Sequence, residues 1–270
     1  MVLTVGDICD YLEKTAPLSF AEDYDNSGLL IGRREREVHT LMLCVDASRP
    51  VIRQAEEAGA DFLLAHHPLI FHPLKNASES DYTGERVMSL AENRIALYAA
   101  HTNMDSVPGD NIDHAAALLG LQKVRAVAEE GQVPCLRIGS LPEPMDLSSL
   151  ARLVMERFQL SYVRVVAAES ENNENELIRQ VAVCTGSGMD FAPLAMKYGA
   201  GCLVTGDISY HRAEAAAAAG LNLIDASHFE TDRLSLQWLK DALLSFAARH
   251  EAQLEVVIAE ERDVFEIVDR

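Results

Sequence analysis

Shifted by 140 positions, the first half of this chain falls on the second, and no other feature of the sequence constrains the fold more. Leu41-Met42-Leu43-Cys44 lands on Val181-Ala182-Val183-Cys184, and Ala55, Gly59, Ala60 and Leu63 land on Ala195, Gly199, Ala200 and Leu203. His66-His67 lands on Gly206-Asp207. With a shorter connection the next segment repeats too: residues 95–100 followed by His101 match 221–227 followed by His228. Each copy reads as strand, helix, strand, and such alternation is the signature of a parallel sheet. A chain of 270 residues can bury two cores of that kind. The expected architecture is α/β: two similar three-layer domains, residues 1–125 and 126–270, with the C-terminal helix and strands free to pack back on the first.

Local signals fill in the elements. Thr4 caps a helix whose apolar face is Ile8, Tyr11 and Leu12, and Pro17 stops it. Asp25 and Asn26 sit in a polar turn, where turn chemistry alone accounts for them. Strands are expected at 41–45, 62–65 and 95–100, with helices at 51–58, around 87–90 and at 111–119. Further on, strands are expected at 133–139, 162–166 and 178–183, and helices at 147–158 and 234–246. Two closing strands are expected at 254–259 and 264–268. The acidic run 169–176 reads as a solvated loop.

The apolar run 62–65 ends on His66, His67 and Pro68. Proline cannot donate to a sheet ladder, so the strand stops there, at the C-terminal edge where open α/β sheets place their ligands. Adjacent side chains on extended backbone point apart, so each imidazole could serve a different one of two neighbouring metals. After the third strand of each repeat comes the same spacing, His101-x-x-x-Asp105 and His228-x-x-x-Asp232. The candidate ligand set is therefore His66, His67, Asp105, His228 and Asp232, with His101 close by. Imidazole and carboxylate together suit zinc, manganese or iron without selecting among them. No cysteine joins the set, which argues against a closed structural zinc site. Asp207 and His211 follow a strand as well, either orienting ligands or merely starting a helix. His39, His114 and His250 read as surface residues and His72 as loop. Gly186-Ser187-Gly188 lacks the flanking residues of a phosphate loop and reads as a tight turn.

Composition narrows the function classes. The formal net charge is −19, from 42 acidic and 23 basic residues, and no basic patch interrupts it. Such a surface repels nucleic-acid phosphates and anionic lipid, so direct nucleic-acid binding is not expected. The five cysteines form no C-x-x-C pair, and three lie in apolar strand-like runs, as free thiols in a reducing compartment would. No run approaches membrane-spanning length and the N-terminus lacks the pattern of a signal peptide, which points to the cytoplasm.

Six stretches together resemble a known family over nearly the whole chain. They are Asp25-Asn26-Ser27-Gly28-Leu29, Ala65-His66-His67-Pro68-Leu69, Ala100-His101-Thr102-Asn103-Met104-Asp105, Thr185-Gly186-Ser187-Gly188, Thr205-Gly206-Asp207-Ile208 through His211, and Asp225-Ala226-Ser227-His228-Phe229-Glu230-Thr231-Asp232. The resemblance is to the Nif-three-like dinuclear-metal hexameric proteins, often labelled homologues of GTP cyclohydrolase I type 2. It implies two α/β domains with a dinuclear site in the cleft between them, and a toroidal homohexamer. It carries over the ligands as His66, His67, Asp105, His228 and the last residue of the closing motif, so two divalent metal ions per chain are implied. Two departures stand out: Asp232 where the family usually has Glu, and Ser227 where it usually has Gly. Glu230 is the nearby substitute ligand, ranked below Asp232 on spacing. Two functional classes follow. One is a metal-dependent hydrolase of cyclohydrolase type, cleaving a C–N or phosphoester bond of a small molecule or nucleotide, with His101 as a proton shuttle. The other is a non-catalytic, ring-shaped metal-handling or regulatory scaffold.

Overall fold

Phe62, Leu63, Leu64 and Ala65 are all buried, and a strand covered on both faces belongs in the middle of a parallel sheet. In the computed structural model of the chain, which describes residues 1–109, 111–169 and 177–268, this segment is the central strand of a five-stranded sheet. The chain divides into two units, Met1–Val107 with Ser235–Arg270, and Pro108–Leu234. The first runs α1 (Val5–Thr15), β1 (Gly28–Ile31), β2 (Thr40–Cys44), α2 (Arg49–Glu57), β3 (Phe62–Ala65), α3 (Tyr82–Glu92) and β4 (Ala96–Ala99). The second runs α4 (Asn111–Leu118), β5 (Gln122–Val127), β6 (Leu136–Met145), α5 (Leu147–Phe158), β7 (Arg164–Val166), β8 (Ile178–Val183), α6 (Ala192–Lys197), β9 (Cys202–Thr205), α7 (Tyr210–Ala218), β10 (Asn222–Asp225) and α8 (His228–Asp232). The chain then returns to the first unit as α9 (Leu234–Arg249) and β11 (Glu255–Ile258).

The two sheets repeat one topology. In the first unit the strand order is β11-β2-β3-β4-β1, with β2, β3 and β4 parallel and β1 antiparallel at the edge. In the second it is β5-β6-β8-β9-β10-β7, with β8, β9 and β10 parallel and β7 antiparallel at the edge. In both units the edge strand precedes the three parallel strands in sequence yet pairs with the last of them, so the repeat extends one strand beyond the shift of 140. The outer strands differ: β11 runs parallel to β2, whereas β6 runs antiparallel to β8. The helix after β4, α4, belongs to the second unit, whereas α8, after β10, stays in the second unit and α9 returns to the first.

Period-2 alternation shows how each sheet is sandwiched. In the second unit Val181, Val183, Cys202, Val204 and Ile224 pack with Ala115 and Ala116 of α4 and with Leu150 and Val154 of α5. The intervening Ala182, Leu203 and Leu223 pack on the opposite side with Leu194 and Ala195 of α6 and Ala216 of α7. In the first unit Met42, Cys44, Leu63, Ala65 and Leu97 pack against Val51, Ile52 and Ala55 of α2 and Leu90 of α3.

Several sequence expectations change here. Residues 264–268 form no strand; Val264, Phe265, Ile267 and Val268 are exposed, because β-propensity produces a strand only where a neighbouring ladder accepts it. The expected strand at 133–139 begins at Leu136 and runs on to Met145, and β5 was not anticipated at all. The acidic run lies outside the described residues except for Glu169. No described helix is long and apolar enough to cross a membrane.

Candidate metal centre

Strand register assembles the first half of the site. Ala65 pairs with Ala99, so the residues that follow, His66-His67 and Ala100-His101, leave the sheet side by side. The backbone amides of His66 and His67 donate to Cys44 O and Val45 O at 3.0 and 2.9 Å, and Pro68 ends the ladder one residue later. The three imidazole rings lie 5.0 to 5.5 Å apart between centroids. One nitrogen of each ring lies within 4.8 Å of one nitrogen of the others.

Each ring is oriented through Nδ1. His66 Nδ1 is 3.0 Å from the Ala100 carbonyl, His67 Nδ1 is 3.0 Å from Asp46 Oδ1, and His101 Nδ1 is 2.8 Å from Asp25 Oδ1. Carbonyl and carboxylate oxygens only accept, so Nδ1 carries a proton, and in the neutral ring the lone pair is then on Nε2. A histidine that binds a metal through Nε2 usually has its Nδ1 proton held in this way. Asp105 lies one turn beyond His101, its amide donating to His101 O at 3.2 Å, and its Oδ2 is 3.7 Å from His66 Nε2.

Asp25 shows how much of the site lies behind the ligands. Its carboxylate is fully buried, which by itself raises its pKa. The bond from His101 and those from the Thr102 and Ser27 hydroxyls outweigh burial and hold it well below the usual carboxylate range. An ionised Asp25 is thus fixed behind His101. In the sequence Asp25 reads as turn chemistry, and Asp46 is simply the residue after the strand at 41–45. The only signal that could have raised Asp25 was its place in the motif Asp25-Asn26-Ser27-Gly28.

The second unit repeats the arrangement. Thr205 pairs with Asp225, so Asp207 emerges beside Ser227 and His228. His228 Nδ1 is 2.7 Å from Asp207 Oδ2, and His228 Nε2 faces Asp232 Oδ2 at 3.1 Å along the single turn of α8. Asp232 is 1% exposed. Because Nδ1 already donates to Asp207, a neutral ring would set its Nε2 lone pair against the carboxylate at 3.1 Å, an arrangement that a cation or an extra proton stabilises. Asp207 is therefore the orienting partner, whereas His211 lies exposed on α7 against the Tyr210 ring. Glu230 pairs with Arg233.

Two glycines let this half-site close. A Cβ on Gly206 would lie 2.4 Å from the His228 amide nitrogen. A Cβ on Gly186, whose φ is +61°, would lie 3.1 and 3.3 Å from the Asp232 carboxylate oxygens and 3.5 Å from His228 Nε2. The Gly186 amide donates to Thr231 Oγ1 at 2.9 Å, and Asn111 Nδ2 donates to Thr231 O at 3.2 Å, bracing the turn that carries Asp232. The tight turn read in Gly186-Ser187-Gly188 thus lies directly against two candidate ligands.

Fold and side chains together define a class: a duplicated α/β chain whose parallel-strand ends carry imidazole and carboxylate donors suited to divalent metal ions. The chain belongs to the Duf34/NIF3 (NGG1p interacting factor 3) family, whose profile matches residues 3–263. A protein of Clostridium perfringens named GTP cyclohydrolase 1 type 2 homolog is 30% identical over 98% of this chain and 100% of its own length. One of the same name from Clostridium acetobutylicum is 34% identical over 86% of each chain. A hypothetical protein of Staphylococcus aureus has a crystal structure that superposes with a TM-score of 0.89 at 25% identity, covering 99% of this chain and 100% of that one.

Proposed function

We propose that this chain holds two divalent metal ions through His66, His67, Asp105, His228 and Asp232, and hydrolyses a C–N or phosphoester bond of a small molecule or nucleotide. The observation that carries this reading is the Nδ1 support of His66, His67, His101 and His228, which in a neutral ring makes Nε2 the nitrogen that would bind a metal. His228 and Asp232 by themselves are only a two-donor fragment. Together the five side chains leave coordination positions for water and substrate. Bound there, a metal pair would supply Lewis acidity and a water of lowered pKa. His101, backed by ionised Asp25, is placed to accept a proton at Nε2 and return it to a leaving group. Its nitrogen lies among those of His66 and His67, so a direct ligand role is the second reading of this residue.

The name of the clostridial relatives supports cyclohydrolase-type chemistry, and the resemblance noted above supports a toroidal homohexamer. The five cysteines are buried and form no disulfide among the described residues, which fits a cytoplasmic protein. Metal content per chain, by plasma mass spectrometry on protein purified without added metal, tests the site in wild type and Asp105→Ala. About two ions per wild-type chain, fewer in the variant, would sustain the reading and justify screening nucleotides and phosphoesters. A wild type that takes up neither Zn, Mn nor Fe would end it.

A further inference from the structure

The C-terminal segment reaches the site by a route no motif announces. After β11 the Glu260 amide donates to Gln54 Oε1 at 2.8 Å, and Gln54 Nε2 donates to Glu260 O at 2.9 Å. This two-bond clamp delivers the next side chain to the end of β2. There the half-buried Glu261 carboxylate accepts from both amides that follow the strand, Val45 N to Oε2 at 2.7 Å and Asp46 N to Oε1 at 3.0 Å. The Asp46 carbonyl in turn accepts from Ser48 N at 2.8 Å. Asp46 is thereby pinned on both sides of its backbone, and its carboxylate holds His67 Nδ1 at 3.0 Å.

We infer that Glu261 is a positioning residue for His67, acting through Asp46, so that the C-terminal segment sets the affinity of the metal that His67 binds. The inference rests on the metal-site reading above. A strand cap needs only one acceptor for one amide. Here two oxygens are committed to two consecutive amides, which fixes the rotation of the peptide between them and hence the direction in which the Asp46 side chain leaves the backbone. That direction decides whether the carboxylate meets Nδ1. Gln at 261 has the same shape but one acceptor and one donor, so one of the two amides loses its bond and faces an NH2 group instead.

Zn2+ affinity by titration calorimetry in wild type, Glu261→Gln, Asp46→Ala and the double variant reads this directly. The expected result is a roughly tenfold weakening of one site by Glu261→Gln, at the low end for groups behind a ligand, and no further weakening when it is added to Asp46→Ala. Unchanged affinity in Glu261→Gln, or an equal loss in both backgrounds, would overturn the inference while leaving the metal site standing. Should the wild type bind no metal, the metal reading fails and crystal structures of the metal-free wild type and Glu261→Gln decide the positioning alone. A broken Asp46–His67 contact in the variant would sustain it, and an unaltered 3.0 Å contact would overturn it.

Discussion

Gly186→Ala offers a sharp separation of site geometry from fold stability. Gly186 has a φ of +61°, so any side chain there costs about 1–2 kcal/mol of backbone strain. The added methyl would also press on the Asp232 carboxylate oxygens at 3.1 and 3.3 Å, which must give by a few tenths of an ångström, while His228 Nε2 at 3.5 Å stays in ordinary contact. Gly59 is the matched control: its φ is +63°, and a Cβ there meets nothing within 4 Å. Both Ala variants should lose about 1 kcal/mol in denaturant melts of the metal-free protein. Only Gly186→Ala should bind metal more weakly, by about 10–100-fold if the displaced carboxylate matters as much as the loss of an orienting partner. The readout is stabilisation by metal. At a free concentration about 100 times the wild-type Kd, wild type and Gly59→Ala should gain about 2.7 kcal/mol, whereas a tenfold weaker variant gains about 1.4 kcal/mol. Equal metal stabilisation of the two glycine variants would refute the placement of Asp232 and His228 as a donor pair against this turn.

Asp207→Asn should leave the fold intact and weaken metal binding about 10–100-fold, because the amide orients the His228 ring less strongly than the carboxylate 2.7 Å from Nδ1; calorimetry checks it. Ser227 sits at φ 65° and ψ 138°, outside the comfortable range of a side chain, and its hydroxyl accepts a long 3.3 Å bond from Glu230 N. Ser227→Gly should therefore stabilise the protein by about 1 kcal/mol, raising Tm by about 2 °C in calorimetric scans. In the capping box of α1, Asp7 accepts from Thr4 N at 2.8 Å and from the Thr4 hydroxyl at 2.7 Å, and the backbone bond first, then the hydroxyl bond, lower its pKa. A depressed carboxylate contributes stability above its unfolded value, near pH 4, and loses it as pH falls through the folded value. Asp7→Asn should thus cost about 0.5 kcal/mol at pH 7, with the gap in urea midpoints closing below about pH 4; a pH-independent gap would contradict the assignment.

What the sequence determined by itself is what depends on neighbours along the chain. The strands at Phe62–Ala65 and Ile178–Val183 and the helix at Leu147–Phe158 follow from local periodicity. The repeat and the two His-x-x-x-Asp turns follow from counting, and they delivered the α/β class and the donors that the structure places at the strand ends. Only tertiary structure decided which nitrogen of each imidazole is available. Asp25 lies 76 residues from His101, Asp46 lies 21 from His67 and Glu261 lies 215 from Asp46, so no periodicity links them. The same limit explains residues 264–268, whose pattern suits a strand that no neighbouring ladder receives. Local preference selects an element, but a hydrogen bond between distant residues exists only once sheet register has brought them together, and in this chain such bonds orient the candidate ligands.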